Sequence, residues 1–340
     1  MTFLGSELPL IQAPMAGSQG SPLAIAVSNA GGLGSLPCGM LTIEAMRKEL
    51  TALRAGTQRP YNVNFFCHVP PAPDADREAA WRRALDPYYR ELGVEPAGAA
   101  PARMPFSREA ADLLEEFRPP VVSFHFGLPA PDLLARVKRT SAKVLSSATT
   151  VDEARWLQAH GADAVIAQGA EAGGHRGMFL STDISTQVGT FALLPQVVRA
   201  VKVPVIAAGG VADASGAAAA LALGAAAVQV GTAFLLCPEA ATSAVHRAAL
   251  KSQSARETAL TNLFSGGPAR GIVNRLMREL GPMSPLAPAY PLATAAVAPL
   301  RAAAEKRGSG DFSPLWSGQN ATGCREVPAA RIVEALAEGL

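Results

Sequence analysis

Two kinds of segment alternate along the first two-thirds of the chain. Short, nearly continuous apolar runs occur at Leu8–Ala16, Gly32–Pro37, Tyr61–Phe66, Pro120–Phe126, Lys143–Ser147, Ala162–Gln168, Val203–Ala208 and Ala225–Gly231. Segments with helical character lie between them, at Ser21–Ala30, Leu41–Ala55, Ser107–Phe117, Pro131–Thr140, Val151–Ala159, Phe191–Val201 and Ala214–Leu223. In Leu41–Ala55 the apolar side chains of Ile43, Met46, Leu50 and Leu53 fall on one helical face. Ser21 reads as an N-cap with Pro22 at the first helical position, and His160-Gly161 and Gly224 read as helix stops. Runs without polar alternation suit strands covered on both faces. Strands that alternate with helices imply a parallel sheet. Eight such units predict an α/β chain folded as a (β/α)8 TIM barrel. A doubly wound open sheet is the alternative. Its first strand would lead into a G-x-G-x-x-G turn, and this chain has Pro14-Met15-Ala16-Gly17 there.

The barrel is predicted to span residues 1–238, interrupted by a Pro-rich, charged insert at about 68–105 that carries one helix near Asp76–Leu92. Residues 239–340 show no strand pattern. They read as an additional C-terminal helical segment packed on the barrel mouth as a lid, with Pro-rich connections at Gly281–Pro291 and a break at Arg307–Ser313.

Composition narrows the function. Of the 340 residues, 49% are hydrophobic and 17% charged, so much of the chain must be buried. A net charge of +2 provides no broad basic face, which argues against nucleic-acid binding. Cys38, Cys67, Cys237 and Cys324 are scattered without a C-x-x-C pair, so neither a metal site nor a disulfide framework is expected. The uncharged stretch Ala214–Pro238 is long enough to span a bilayer. Gly216, Gly224, Gly231 and Gln229 interrupt it, and it reads as a buried helix followed by a buried strand. With no signal-peptide pattern at the start, the expectation is a cytoplasmic enzyme without membrane contact.

In such a barrel the chemistry sits at the C-terminal ends of the strands. Those ends carry Pro14-Met15-Ala16-Gly17, Asn64, Ser123-Phe124-His125, Gln168, Gly209-Gly210 and Gln229-Val230-Gly231-Thr232. Glycine turns after the last two strands are where barrels often hold phosphate on backbone N–H groups. The ligand could be a phosphosugar or a flavin mononucleotide. The amides of Asn64 and Gln168 both donate and accept, which suits a heterocycle with carbonyls and ring nitrogens.

The stretch AQGAEAGGHRG, Ala167–Gly177, offers the acid/base candidate, His175, whose imidazole titrates near neutrality. His125 shares a strand face with Ser123, and it reads either as a substrate contact or as a core histidine. His68 is expected to be solvated in the insert, and His160 and His246 to serve helices. Glu171 is expected to position the loop. Arg176 is read as a solvated side chain or as an attractor of an anionic substrate.

At these residues the chain resembles the nitronate monooxygenases, formerly called 2-nitropropane dioxygenases. QAPMAG, AVSNAGGLGSL, NVNFF, VVSFHFG, AQGAEAGGHRG, PVIAAGGVAD and AVQVGTAFL carry the resemblance, in order along nearly the whole chain. NLFSGGPARGIVNRLM and LWSGQ are similar to the class I members. FMN-dependent enoyl-acyl carrier protein reductases and some NADH:quinone reductases share the central motifs.

The resemblance implies non-covalent FMN. Met15 and Ala16 would contact the flavin, and Asn64 and Gln168 would bond its ring or ribityl chain. Gly173, Gly174, Gly209 and Gly210 would sit against it, and Gln229, Val230, Gly231 and Thr232 would hold the phosphate end. His175 falls on the family's active-site histidine, and Tyr290 on a tyrosine placed over the substrate. A further tyrosine and a lysine are expected along the helix after Tyr290, where this chain has Thr294 and Ala298.

The implied activity is oxidation of alkyl nitronates, such as propionate 3-nitronate, by O2 through a flavin semiquinone. The products would be carbonyl compounds and nitrite or nitrate. The partners would be a small anionic nitronate and O2, on a monomer or homodimer. Three alternatives remain: an FMN-dependent NAD(P)H reductase acting on a quinone or enoyl thioester, a flavin-storing or flavin-sensing protein, and a phosphosugar aldolase or isomerase on the same fold.

Overall fold

The computed structural model describes residues 2–96 and 104–340. The alternation gives strands β1 (Leu10–Gln12), β2 (Gly34–Pro37), β3 (Tyr61–Phe66), β4 (Val121–His125), β5 (Lys143–Ala148) and β6 (Ala164–Gln168). After a two-residue strand β7 (Gly174–His175) come β8 (Val205–Ala208), β9 (Ala227–Val230), β10 (Thr258–Thr261) and β11 (Ala269–Ile272). The helices of the first half are α1 (Ser21–Asn29), α2 (Ile43–Gly56), α3 (Ala75–Leu92), α4 (Arg108–Phe117), α5 (Pro131–Arg139) and α6 (Val151–Ala159). Those of the second half are α7 (Thr190–Ala200), α8 (Ala214–Ala222), α9 (Ala244–Lys251), α10 (Arg275–Leu280), α11 (Thr294–Lys306) and α12 (Ala329–Ala337).

Eight parallel strands form one sheet in the order β1-β9-β8-β6-β5-β4-β3-β2. The ends meet where Ile11 bridges Leu33 in parallel, with Gln12 N–H donating to Leu33 O at 3.0 Å and Leu33 N–H to Leu10 O at 2.8 Å. This closes the (β/α)8 barrel. Strand side chains alternate as the pleat requires. Ile11, Leu33, Val121, Leu145, Ile166 and Ile206 fill the interior, while Leu10, Val165, Val205 and Ala207 pack outward against helices. The uncharged stretch from Ala214 resolves into α8 and β9, and among the described residues no helix is long and apolar enough to cross a membrane.

Ser21 does not cap α1. Gly20 occupies the N-cap without a side-chain bond, and Ser21 N–H instead donates to Glu49 Oε2 of α2 at 2.6 Å. A carboxylate from a neighbouring helix therefore satisfies one of the open N–H groups of the first turn.

Residues 239–340 contain helices and also two strands that the apolar pattern did not reveal. Strands β10, β11 and β7 form a separate antiparallel sheet, in which Ala269 pairs with His175 and Arg270 with Gly174. The insert helix α3 packs on this C-terminal region. Trp81, Leu85, Tyr88 and Tyr89 share a core with Leu276, Val297, Leu300 and Phe312, and Tyr89 Oη–H donates to Ala296 O at 2.5 Å. Residues 97–103 of the insert lie outside the described residues.

Candidate active site

The histidine loop is fixed from three sides. Gln168, the last residue of β6, donates from Nε2 to His175 O at 2.9 Å, and its Oε1 accepts from Gly177 N–H at 2.7 Å. His125 Nε2 lies 3.1 Å from the same His175 carbonyl, and its Nδ1 lies 3.0 Å from Ser147 Oγ. A carbonyl only accepts, so Nε2 carries the proton and Nδ1 accepts from the serine. Burial drives the His125 pKa down to about 4; the charge of Arg176 adds to this, and the bond to the His175 carbonyl opposes it. His125 is therefore neutral.

Arg176 is neither solvated nor aimed at a substrate. It is 1% exposed, and its guanidinium donates to Gly169 O (2.6 Å), Gln168 O (2.6 Å) and Gln187 Oε1 (2.9 Å). The carbonyls at the end of β6 need donors that no neighbouring strand supplies, and the fork of a guanidinium meets two of them at once. Burial, then the charge of Arg270, lowers its pKa to about 10, with Glu171 and Glu153 opposing. Arg270 of β11 extends the clamp by donating to Ala170 O at 2.8 Å. Glu171 positions the loop through Thr190, accepting from its N–H at 2.7 Å and its hydroxyl at 2.9 Å.

The His175 ring sits among aromatic groups. Its centroid lies 5.1 Å from Tyr290, 5.5 Å from Trp316 and 6.2 Å from Phe126. His175 Nε2 is 2.8 Å from Ser265 Oγ, which has Gly267 O at 3.4 Å. With the serine proton directed to that carbonyl, Ser265 accepts from Nε2–H and the ring's lone pair is on Nδ1. His68 is buried rather than solvated, because its ring packs edge-on against Tyr290 at 5.0 Å.

A cavity of about 260 Å3 opens at this mouth. Met15, Ala16, Asn64, His125, Gln168 and His175 line it. So do the glycines Gly173, Gly174, Gly209, Gly210 and Gly231, together with Gln229 and Thr232. Two predicted residues stand apart. Val230 is 1% exposed, packs in the core and is not part of the lining; its carbonyl accepts from Ala13 N–H at 2.8 Å. Tyr290 backs the His175 ring and is not part of the lining.

Several residues of the site were not singled out from sequence. Gln19 Oε1 accepts from Met15 N–H at 3.1 Å and so shapes the first loop. Ser265, Trp316, Gly318 and Asn320 come from the C-terminal region. Their stretches, SGGPARG and LWSGQN, are rich in turn and polar residues, and that composition was the available signal.

The cavity suits a phosphorylated heterocycle. Gln229 Oε1 is buried and has no hydrogen-bond partner, so it awaits an N–H donor. At Gly17 (φ +83°) and Gly174 (φ +74°) an added Cβ would meet no atom within 4 Å and would project into open space. Gly209 and Gly210 adopt φ of +111° and +78° in the turn between β8 and α8, and both line the cavity.

His246 also lines the cavity and is 5% exposed, with its pKa driven down to about 4, chiefly by burial. A hydrogen bond to the Trp316 carbonyl opposes that shift. His125 and His246 both titrate below the usual 6.5 in the folded chain, so unfolding between pH 6.5 and about 4 takes up protons. Their contribution is fully present above pH 6.5 and falls as the pH drops through that window. Denaturant titrations at pH 7 and 4.5 should show a loss on acidification that is smaller in His246→Gln, by on the order of 2 kcal/mol.

A family model described as nitronate monooxygenase matches residues 1–339. A nitronate monooxygenase of Pseudomonas aeruginosa is 45% identical, with 99% of this chain and 97% of the relative covered. One from Paraburkholderia phytofirmans is 44% identical, with 99% and 93% covered. Among solved structures, nitroalkane oxidase from Streptomyces ansochromogenes superposes with a TM-score of 0.91 at 42% identity, covering 99% of this chain and 96% of that one. FabK from Thermotoga maritima gives a TM-score of 0.71 at 29% identity, covering 99% and 93%.

Proposed function

The chain belongs to the nitronate monooxygenase family of oxidoreductases, and from that premise we propose that it holds FMN non-covalently and oxidises alkyl nitronates with O2. One observation carries the reading. One cavity is lined by the His175 imidazole, by the glycine turns after β8 and β9, and by Gln229 of β9, whose amide oxygen is unpartnered. Met15, Ala16 and Asn64 would lie against the flavin ring, Gln229 would accept from a ring N–H, and the turns at Gly209-Gly210 and Gly231-Thr232 would hold the phosphate. FMN, when bound, supplies the electron acceptor and passes electrons on to O2.

The protein's part is binding and proton handling. A nitronate is a delocalised anion, and His175 in its imidazolium form can donate from Nδ1–H to the nitro oxygens while Nε2–H stays on Ser265. With a neutral nitroalkane, the same imidazole can take the α-proton at its lone-pair nitrogen. Gln168, His125 and Arg176 hold the loop so that this ring needs no reorganisation as charge develops. Trp316, Phe126 and Tyr290 shield it from water.

The purified protein should be yellow and contain about one FMN per chain. Anaerobic mixing with ethyl nitronate should bleach the flavin, admission of air should restore the colour, and NADH should leave it unchanged. Bleaching by NADH alone would transfer the assignment to an NAD(P)H-dependent reductase.

A further inference from the structure

Ser265 belongs to none of the barrel strand ends, yet its hydroxyl lies 2.8 Å from His175 Nε2. It is 3% exposed, in the turn between β10 and β11, and that turn is tied down on several sides. Gly266 N–H donates to Asn262 O at 2.8 Å. The Asn262 amide donates to Ser284 O at 2.8 Å and accepts from Ser284 N–H at 2.9 Å. Pro268 O accepts from Arg176 N–H at 2.8 Å, which fixes the turn to the histidine strand itself. Gly266 has φ +89°, and a Cβ there would run into Pro288 O, so the turn requires glycine at that point. The hydroxyl is therefore in place before any substrate arrives.

The charged and titratable groups around the ring are held elsewhere. Arg176 donates to Gln168 O, Gly169 O and Gln187 Oε1, and Arg270 to Ala170 O and Thr258. Glu171 accepts from Thr190. Arg301 and Glu305, which line the cavity, pair with each other. His125 bonds the His175 carbonyl, and Tyr290, with His68 behind it, packs against the ring. Removing the Ser265 hydroxyl leaves all of these partners intact, so its effect falls on the imidazole.

We propose that Ser265 is the positioning residue that fixes the His175 proton on Nε2 and, by accepting from it, favours the imidazolium over the neutral ring, tuning the site toward the anionic nitronate and away from the neutral nitroalkane. The proposal rests on the nitronate-oxidising reading and deepens it by assigning the group that sets which ionic form of the substrate is preferred. A hydroxyl oxygen accepts more strongly from a cationic N–H than from a neutral one. Nδ1 then serves both substrates. Protonated, it donates to the nitro oxygens of a nitronate. Unprotonated, it takes the α-proton of a nitroalkane, and the C–H electron pair stays on the substrate as the nitronate. Use of the nitronate should fall as the pH rises through the ring's pKa, and use of the nitroalkane should rise through the same pKa.

The test is the pH profile of kcat/KM for the holoenzyme, with ethyl nitronate and with freshly dissolved nitroethane. The two limbs should run in opposite directions about one midpoint. Ser265→Ala, which removes a single oxygen, should move both midpoints to lower pH. Above them it should cut the nitronate-to-nitroalkane ratio by about threefold or more. Ser265→Thr, which keeps the oxygen, should retain the wild-type midpoints. Nitrogen-15 NMR of the histidine-labelled wild-type holoenzyme, with His175→Ala to assign the signal, needs neither turnover nor a change at Ser265: the neutral His175 ring should carry its proton on Nε2. Midpoints unmoved or raised in Ser265→Ala, or a neutral ring protonated on Nδ1, overturns the proposal. Failure to oxidise either substrate would instead overturn the underlying reading, and the proposal with it.

Discussion

His175→Ala should lower turnover of nitroalkanes and their nitronates by about 100-fold or more, while the FMN content per chain stays close to that of the wild type. The magnitude is that of a positioned general acid–base group. The retention of FMN follows from where the ring sits. His175 is on β7, paired with β11, whereas the glycine turns proposed for the phosphate follow β8 and β9. Its imidazole bonds Ser265 and packs among Tyr290, Trp316 and Phe126. The features that hold the loop, Gln168 and His125 on the His175 carbonyl, are backbone contacts that alanine preserves. The measurement is steady-state turnover beside the flavin-to-protein absorbance ratio. Turnover within a few-fold of wild type would remove His175 from the chemistry.

Arg176→Met should destabilise the fold by about 3 kcal/mol or more, a large effect for one side chain. The guanidinium is 1% exposed and donates to two backbone carbonyls and one side-chain amide. Methionine fills much of the volume but removes the donor to Gln168 O and leaves Gly169 O with the Ala172 N–H alone. Arg176→Lys should recover only part of the loss, because an ammonium cannot reproduce the fork. Arg47 is the contrast. Its ion pair with Glu116 has side chains 51% and 48% exposed, and Arg47→Met should change stability by less than about 1 kcal/mol. Urea midpoints of the three variants against wild type decide the matter; equal losses for Arg47→Met and Arg176→Met would refute the clamp.

The Arg176 result would also explain why one feature of the site was misread from sequence. In HRG, an arginine beside a glycine pair and a histidine has the composition of an exposed loop. Its burial depends on carbonyls at Gln168 and Gly169 that the end of β6 leaves without strand partners, and on Gln187 eleven residues on. Spacing in the chain records none of this. His68 is a second instance. Its Pro-rich neighbourhood reads as solvated, and it is Tyr290, more than two hundred residues away, that covers it.

The barrel itself was legible from the chain. Each strand that carries site residues is a short apolar run, and each run ends in a glycine, amide or imidazole where the side chain or backbone must meet a ligand. Periodicity of this kind is local: burial of one helix face, or of both strand faces, repeats within a few residues and is written directly into the order of apolar and polar positions. That was enough to place Asn64, His125, Gln168, Gly210 and Gln229 on one rim.

Tertiary structure decided what lies over the rim. β7 is only two residues long, and it exists because β11, almost a hundred residues later, offers its edge to Gly174 and His175. α3 and α11 share a core, and Ser265 and Trp316 reach His175 from the C-terminal region. Pairings at such separation depend on which edges and faces remain open once the barrel has closed. The sequence determined the barrel and the chemistry at its strand ends, and the closed barrel decided which distant residues complete the site.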